Sequence, residues 1–253
     1  MGVKVWHTHF SSRFNKSAAG LEKLLDDNTD TTDWFTVTEI DGALRARCLR
    51  EPGWGASLPR PHASPRDDCG QAWLRETLLQ KWKDVILLSG LQYLKDGGGL
   101  AAPTICNVVV LEAKNGHRLL SAIAHLGHGV EGDLKDGKAN SHNAKVYVAD
   151  LKALIEKANY LAKQHDCDSV LITFDSNLDV RLAWVRLFLW SKGRGYKLNW
   201  RKPYPSKGTF GHRLIDVTMF RGKLRLTKGP RLVSQQGTSD HAYGYTEEYE
   251  LFA

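Results

Sequence analysis

"SVLITFDSN", residues 169–177, decides the fold more than any other stretch of the chain. The run from Ser169 to Phe174 is continuous and apolar, as expected of a central strand buried on both faces. It stops abruptly at Asp175-Ser176-Asn177. On the N-terminal side, residues 146–165 form the best helix in the sequence, with Val148, Leu151, Leu154, Ile155, Ala158, Leu161 and Ala162 on one apolar stripe. A Gly-, Asp- and Lys-rich stretch, 127–145, reads as the loop before it. Further upstream "NVVVLEA" runs into "KNGH" and out through "RLLSAIAHL", a hairpin turned by Asn115-Gly116. Its return strand ends at His125.

The rest of the chain fills in around this centre. "VKVW", 3–6, and "WFTVTEI", 34–40, read as strands, with a helix over Ala18–Leu25 between them. Residues 50–70 read as a long loop, "WLRETLLQKWKDV" (73–85) as a helix, and Gly97–Gly99 as a breaker. Downstream of Asn177 come a helix ("RLAWVRLFLW", 181–190), a basic loop, a strand ("RLIDVTMF", 213–220), an "RGK" turn and a strand ("LRLTK", 224–228). No repeat and no linker appears, so one domain over 1–253 is expected.

Composition narrows the class. Of 253 residues 42% are hydrophobic and 25% charged, ordinary for a globular protein. No apolar run approaches the roughly 20 residues a membrane span needs. "MGVKVWHTHF" lacks the layout of a signal peptide. Cys48, Cys69, Cys106 and Cys167 are widely spaced without a C-x-x-C, which argues against zinc and against a disulfide framework. A cytoplasmic protein with reduced thiols is expected. The net charge of +7 favours polyanions without naming one. From Ser191 to Arg213 there are seven Lys or Arg and no acid, interleaved with Tyr196, Trp200, Tyr204 and Phe210. Cations that neutralise phosphates and rings that stack on bases suit nucleic acid; a solvated basic loop over buried aromatics fits the same residues.

Acidic or imidazole side chains recur where β-runs end: Glu39, His125, Asp175 with Asn177, Asp216, and Asp240-His241. Strand ends at one edge of a sheet converge on a common rim, so the recurrence points to one shared site.

In order along the chain, "VWHTHF", "WFTVTEID", "AIAHL", "TFDSNLD", "HRLIDVTMF" and "SDH" resemble the motifs of the endonuclease/exonuclease/phosphatase superfamily, the fold of pancreatic-type deoxyribonucleases. The resemblance implies an α+β sandwich: two packed, mostly antiparallel or mixed sheets flanked by helices in four layers. It also implies metal-dependent phosphoester hydrolysis. Glu39 matches the principal metal ligand, with Asp240 a second contributor, and Mg²⁺ or Mn²⁺ is the expected ion. His241 matches the general base and Asp216 the carboxylate that orients it. Asp175 would position the attacking water, Asn177 would donate to a phosphate oxygen, and His125 would act on the phosphate or leaving group. Two departures stand out: His7 and His9 replace an Asn and a frequent acid, and Phe174 replaces a Gly. His7 and His9 are expected to bind phosphate or metal in another way.

Lys197, Trp200, Arg201 and Lys202 lie between the Asp175 motif and the Asp216 strand, where the resemblance places the rim of the site. They are the expected substrate contacts. Arg45, Arg47, Arg50, Arg60 and Arg66 extend the groove or form a solvated loop. The reading is a monomeric enzyme that hydrolyses nucleic acid, DNA first, as endonuclease or exonuclease, with no membrane partner. A phosphomonoesterase or lipid phosphodiesterase, and a binding module that has lost catalysis, are the alternatives.

Overall fold

Among the described residues twelve strands form two six-stranded sheets packed face to face. The computed structural model describes residues 1–9, 31–38, 53–58, 69–135, 139, 141–234 and 241–252. In the first sheet β11 (Leu224–Ser234), β12 (Tyr243–Leu251), β1 (Gly2–His9), β2 (Trp34–Thr38), β4 (Gly70–Leu74) and β3 (Trp54–Ser57) lie side by side in that order. The second holds β5 (Leu78–Leu87), β6 (Ile105–Ala113), β7 (Arg118–His125), β8 (Ser169–Asp175), β10 (Asp216–Gly222) and β9 (Lys197–Leu198). The described helices are α1 (Glu131–Leu134), α2 (His142–Gln164) and α3 (Ala183–Lys192). The two-sheet sandwich expected from the motifs is present.

Each sheet contains one parallel pair among antiparallel neighbours, β1 with β2 and β7 with β8. A parallel pair needs a long crossover, and α2 supplies it for β7 and β8. Its N-terminus is fixed by Ser141, whose hydroxyl accepts from the Ala144 N–H at 3.1 Å. The helix begins at His142, four residues earlier than its apolar stripe indicates.

Every residue of β8 is buried. Val170, Ile172 and Phe174 face the helix layer, packing with Leu151, Leu154, Ile155 and Ala158 of α2. Leu171 faces the other sheet, among Val3, Val5, Trp34, Phe220 and Tyr249. Side chains alternate along a strand, so Thr173 and Asp175 share the inter-sheet face with Leu171. The Phe174 side chain therefore lies on the opposite face of the strand from Asp175.

The inter-sheet face changes character along its length. Val5 pairs with Trp34, His7 with Thr36 and His9 with Thr38. Across the sandwich Phe220 pairs with Leu171, Thr218 with Thr173 and Asp216 with Asp175. The filling therefore runs from apolar, through hydroxyl and imidazole, to ionisable side chains at one rim.

Three expectations are corrected. Residues 73–85 are not a helix: they end β4, turn, and begin β5, an edge strand pairing Leu78 with Ala113 through to Leu87 with Ile105. Ladder pairing overrides helix propensity here, and Lys81, Lys83 and Asp84 keep the edge charged. The stretch 50–70 is not wholly loop, since it includes β3. The "RGK" turn joins strands of different sheets, crossing the sandwich at Gly222. A Cβ there would lie 2.2 Å from the Asp168 carbonyl oxygen, at a φ of +95°. The helix expected over 18–25 lies outside the described residues.

Candidate active site

His9 and Asp175 end their strands, Asp216 begins an antiparallel one, and His241 stands two residues before β12. Register does the assembly: His125 pairs with Asp175, and Asp175 with Asp216. All reach the same rim.

The nearest contact is between His241 Nδ1 and Asp216 Oδ2, at 2.7 Å. The Nε2 of the same ring is 3.5 Å from Asp175 Oδ2. That oxygen is also 3.5 Å from His125 Nε2 and 3.7 Å from His9 Nδ1. Three imidazoles thus surround one carboxylate oxygen. His9 Nδ1 pairs with the Thr38 hydroxyl at 2.8 Å, and its ring stacks on His241.

The two carboxyl groups are driven apart. Burial, with the like charge of Asp216 added, pushes the Asp175 carboxyl above the usual aspartate range, although His125, His241 and His9 oppose the shift. Burial also works against a charge on Asp216, but the attraction and hydrogen bond of His241, with His9 and Thr209 assisting, win and hold it below that range. Such a split separates the roles of neighbouring acids.

Asn177 has a left-handed backbone, with φ +50°. Its N–H donates to Asp175 Oδ1 at 2.8 Å, and its Nδ2 donates to the Leu126 carbonyl at 2.8 Å. Arg213 donates to its carbonyl at 2.9 Å and also pairs with Glu131. Asn177 therefore ties the ends of β7 and β8 together.

Other expected residues take different places. Glu39 and Asp240 lie outside the described residues, as do Arg45, Arg47, Arg50, Arg60 and Arg66. His7 is buried one step deeper than His9, paired with Thr36 Oγ1 and, at 2.9 Å, with Glu247 Oε2. Both of its ring nitrogens are thus engaged by side chains of the protein. Trp200 is 4% exposed and donates to the Asp216 carbonyl at 2.7 Å, so it braces the site strand instead of offering a stacking face. Lys197 is exposed but pairs with Phe220, roughly 13 Å along the ladder from Asp216. Arg201 and Lys202 are exposed beside Trp200.

Sequence reasoning missed the buried network under the rim. Glu247 accepts from Asn199 Nδ2 at 2.8 Å and from the Tyr249 hydroxyl at 2.6 Å, besides its pairing with His7. The alternation of "YGYTEEYEL" places Tyr245, Glu247 and Tyr249 on one face; nothing in it says that this face is covered.

Donor atoms of His9, Asp175, Asp216 and His241 lie within 4.8 Å of one another, a set able to hold a divalent cation. Ring geometry limits it. A nitrogen lone pair lies in the ring plane, and the stacked planes of His9 and His241 share no point, so one ion takes at most one of these rings. Asp216 is already engaged by His241. Asp175 is the described carboxylate that fits a cation, in keeping with the preference of Mg²⁺ for oxygen.

No protein-family model and no curated protein sequence matches the chain. Solved structures do. An endonuclease/exonuclease/phosphatase family protein from Bacteroides thetaiotaomicron superposes with a TM-score of 0.69 at 16% identity, covering 98% of each chain. A mannosyl-6-phosphatase from the same organism gives 0.68 at 15%, over 99% of this chain and 100% of that one. TDP2 of D. rerio, complexed with a single-strand DNA product, gives 0.59 at 13%, over 98% and 99%. The chain has the endonuclease/exonuclease/phosphatase fold. The same sandwich carries a sugar phosphatase and a DNA-bound protein, so fold alone leaves the substrate open.

Proposed function

We propose that the protein hydrolyses phosphodiester bonds in nucleic acid, DNA first, with Mg²⁺ or Mn²⁺. The observation that carries this reading is the Asp216–His241 pair at 2.7 Å, with the far nitrogen of the ring 3.5 Å from Asp175. An imidazole held by a carboxylate on one nitrogen takes a proton on the other. In this reading His241 Nε2 removes a proton from a water positioned by Asp175. The water oxygen forms a bond to phosphorus as the bond to the leaving oxygen breaks. Asp216 steadies the imidazolium, and His125 donates to a phosphate or leaving-group oxygen. A bound divalent cation would neutralise charge on the phosphate and leaving group; Glu39 and Asp240 are its expected ligands, with Asp175 fitting from the described set. Arg201, Lys202 and the net charge of +7 favour a polyanionic substrate.

The test is incubation of supercoiled plasmid and of a single-stranded oligonucleotide with Mg²⁺, Mn²⁺ or chelator, beside Glu39→Ala and His241→Ala. Metal-dependent cleavage lost in both variants is the expected result. Cleavage that survives His241→Ala would remove the proposed base. Intact nucleic acid together with hydrolysis of a sugar phosphomonoester would move the reading to a phosphatase.

A further inference from the structure

We propose that Phe210 is the platform on which a nucleobase next to the scissile phosphate stacks, so that the preferred ligand is single-stranded or locally unpaired nucleic acid. The proposal rests on the nucleic-acid reading above. Of the Phe, Tyr and Trp residues between Ser191 and Arg213, Tyr196 and Trp200 are 5% and 4% exposed, whereas Phe210 is 38% exposed. Tyr204 is half-buried and covered by the Arg186 guanidinium, 5.4 Å from its ring centroid. The ring expected to stack is thus Phe210 and not Trp200.

A lone exposed aromatic is ordinary. Phe210 differs in where it is and how it is held. Its centroid is 5.2 Å from that of His241, with planes 56° apart, so it borders the ring of the proposed base. The loop carrying it is locked. Phe210 N–H donates to the Arg213 carbonyl at 3.1 Å, and Arg213 N–H returns to the Phe210 carbonyl at 2.9 Å. The buried Thr209 hydroxyl accepts from the N–H groups of Ile215 and Asp216 at 3.2 and 3.3 Å. The Thr209 carbonyl accepts from Tyr243 N–H on the neighbouring sheet. Gly208 lets the turn close, because a Cβ there would meet the Arg213 carbonyl oxygen at 2.2 Å. The loop bearing the ring is therefore tied to β10, which carries Asp216, and to the start of β12, two residues after His241. Lys207 and His212 flank it in sequence and are exposed, the lysine supplying charge and the imidazole a hydrogen-bonding nitrogen toward neighbouring phosphates. A rigid aromatic face within a positive border is the chemistry that binds unpaired bases without reading their sequence. A duplex keeps its bases stacked on one another and offers no such face.

The test is equilibrium binding, in chelator so that nothing is cleaved, of a fluorescein-labelled single-stranded oligonucleotide and of one with tetrahydrofuran spacers in place of its bases. Wild type, Phe210→Ala and Phe210→Trp are compared. Phe210→Ala is expected to weaken the base-containing ligand by roughly 5- to 150-fold, the range of one base–aromatic stack. Binding of the base-free ligand should not change, and Phe210→Trp should restore the difference. No loss, or equal loss on both ligands, overturns the stacking role while leaving the nucleic-acid reading intact. Wild type that retains neither oligonucleotide removes that reading, and the stacking role with it.

Discussion

The imidazole of His9 lies face to face with that of His241, ring centroids 3.7 Å apart and planes 4° from parallel. His9 is the last residue of β1, and its Nδ1 pairs with Thr38 at the end of β2. The central strands of the first sheet thus back the proposed base, while Asp216 of the second holds it from the side. The stack fixes the ring's tilt and leaves its Nε2 directed toward Asp175.

His9→Ala removes that backing. Turnover of a phosphodiester substrate is expected to fall by roughly tenfold with KM little changed, since misplacement of a catalytic group by about 1 Å costs up to ~100-fold. His9→Phe keeps a flat ring and should recover part of the loss. Steady-state kinetics on the three proteins decides it, and equal loss in both variants would mean that an imidazole nitrogen matters instead.

Asp216→Asn keeps the shape of the side chain and removes the charge facing His241 Nδ1. The rate is expected to drop on the order of 10²- to 10⁴-fold, the usual worth of general base catalysis. Substrate affinity measured in chelator should be unchanged. A rate within a few-fold of wild type would dismiss the dyad.

Asp175 gives a pH-dependent stability. Its folded carboxyl lies above the unfolded value, so the folded state binds more protons in the window between the two. Stability from this group is full below the unfolded aspartate value, about 3.9, and is lost as pH rises through the folded one. Asp175→Asn should therefore unfold later than wild type at pH 7 in chelator, with the gap closing toward pH 3. Thermal melts across that range measure it; a variant less stable at pH 7 contradicts the sign.

Glu247→Ala strips the His7, Asn199 and Tyr249 partners of their acceptor in a fully enclosed place. Breaking a buried pair from one side costs roughly 3–5 kcal/mol. Urea unfolding should show a loss of that size, and Glu247→Gln, which keeps an acceptor oxygen, a smaller one. A loss below about 1 kcal/mol would mean that the network is open to water.

Much of this molecule was legible before folding, and the reasons are local. The unbroken run at β8 reads as a strand covered on both faces. The stripe of α2 and the Asn-Gly turn between β6 and β7 follow from 3.6-residue periodicity and from backbone sterics. Polar residues at strand ends marked His125, Asp175, Asp216 and His241, because a buried strand more readily carries such groups where it leaves the core. What needed three dimensions was everything set by partners distant in sequence. Edge pairing with β6 made residues 78–85 strand against their helical look. The covering of β1 by the second sheet sent His7 inward to Glu247, 240 residues away. The proximity of Asp216 drew Trp200 out of solvent and left Phe210 as the ring beside the site. Sequence determines what each residue prefers within a few neighbours. Which His reaches the rim and which is sealed beneath it depends on sheet register and packing, which only the folded chain supplies.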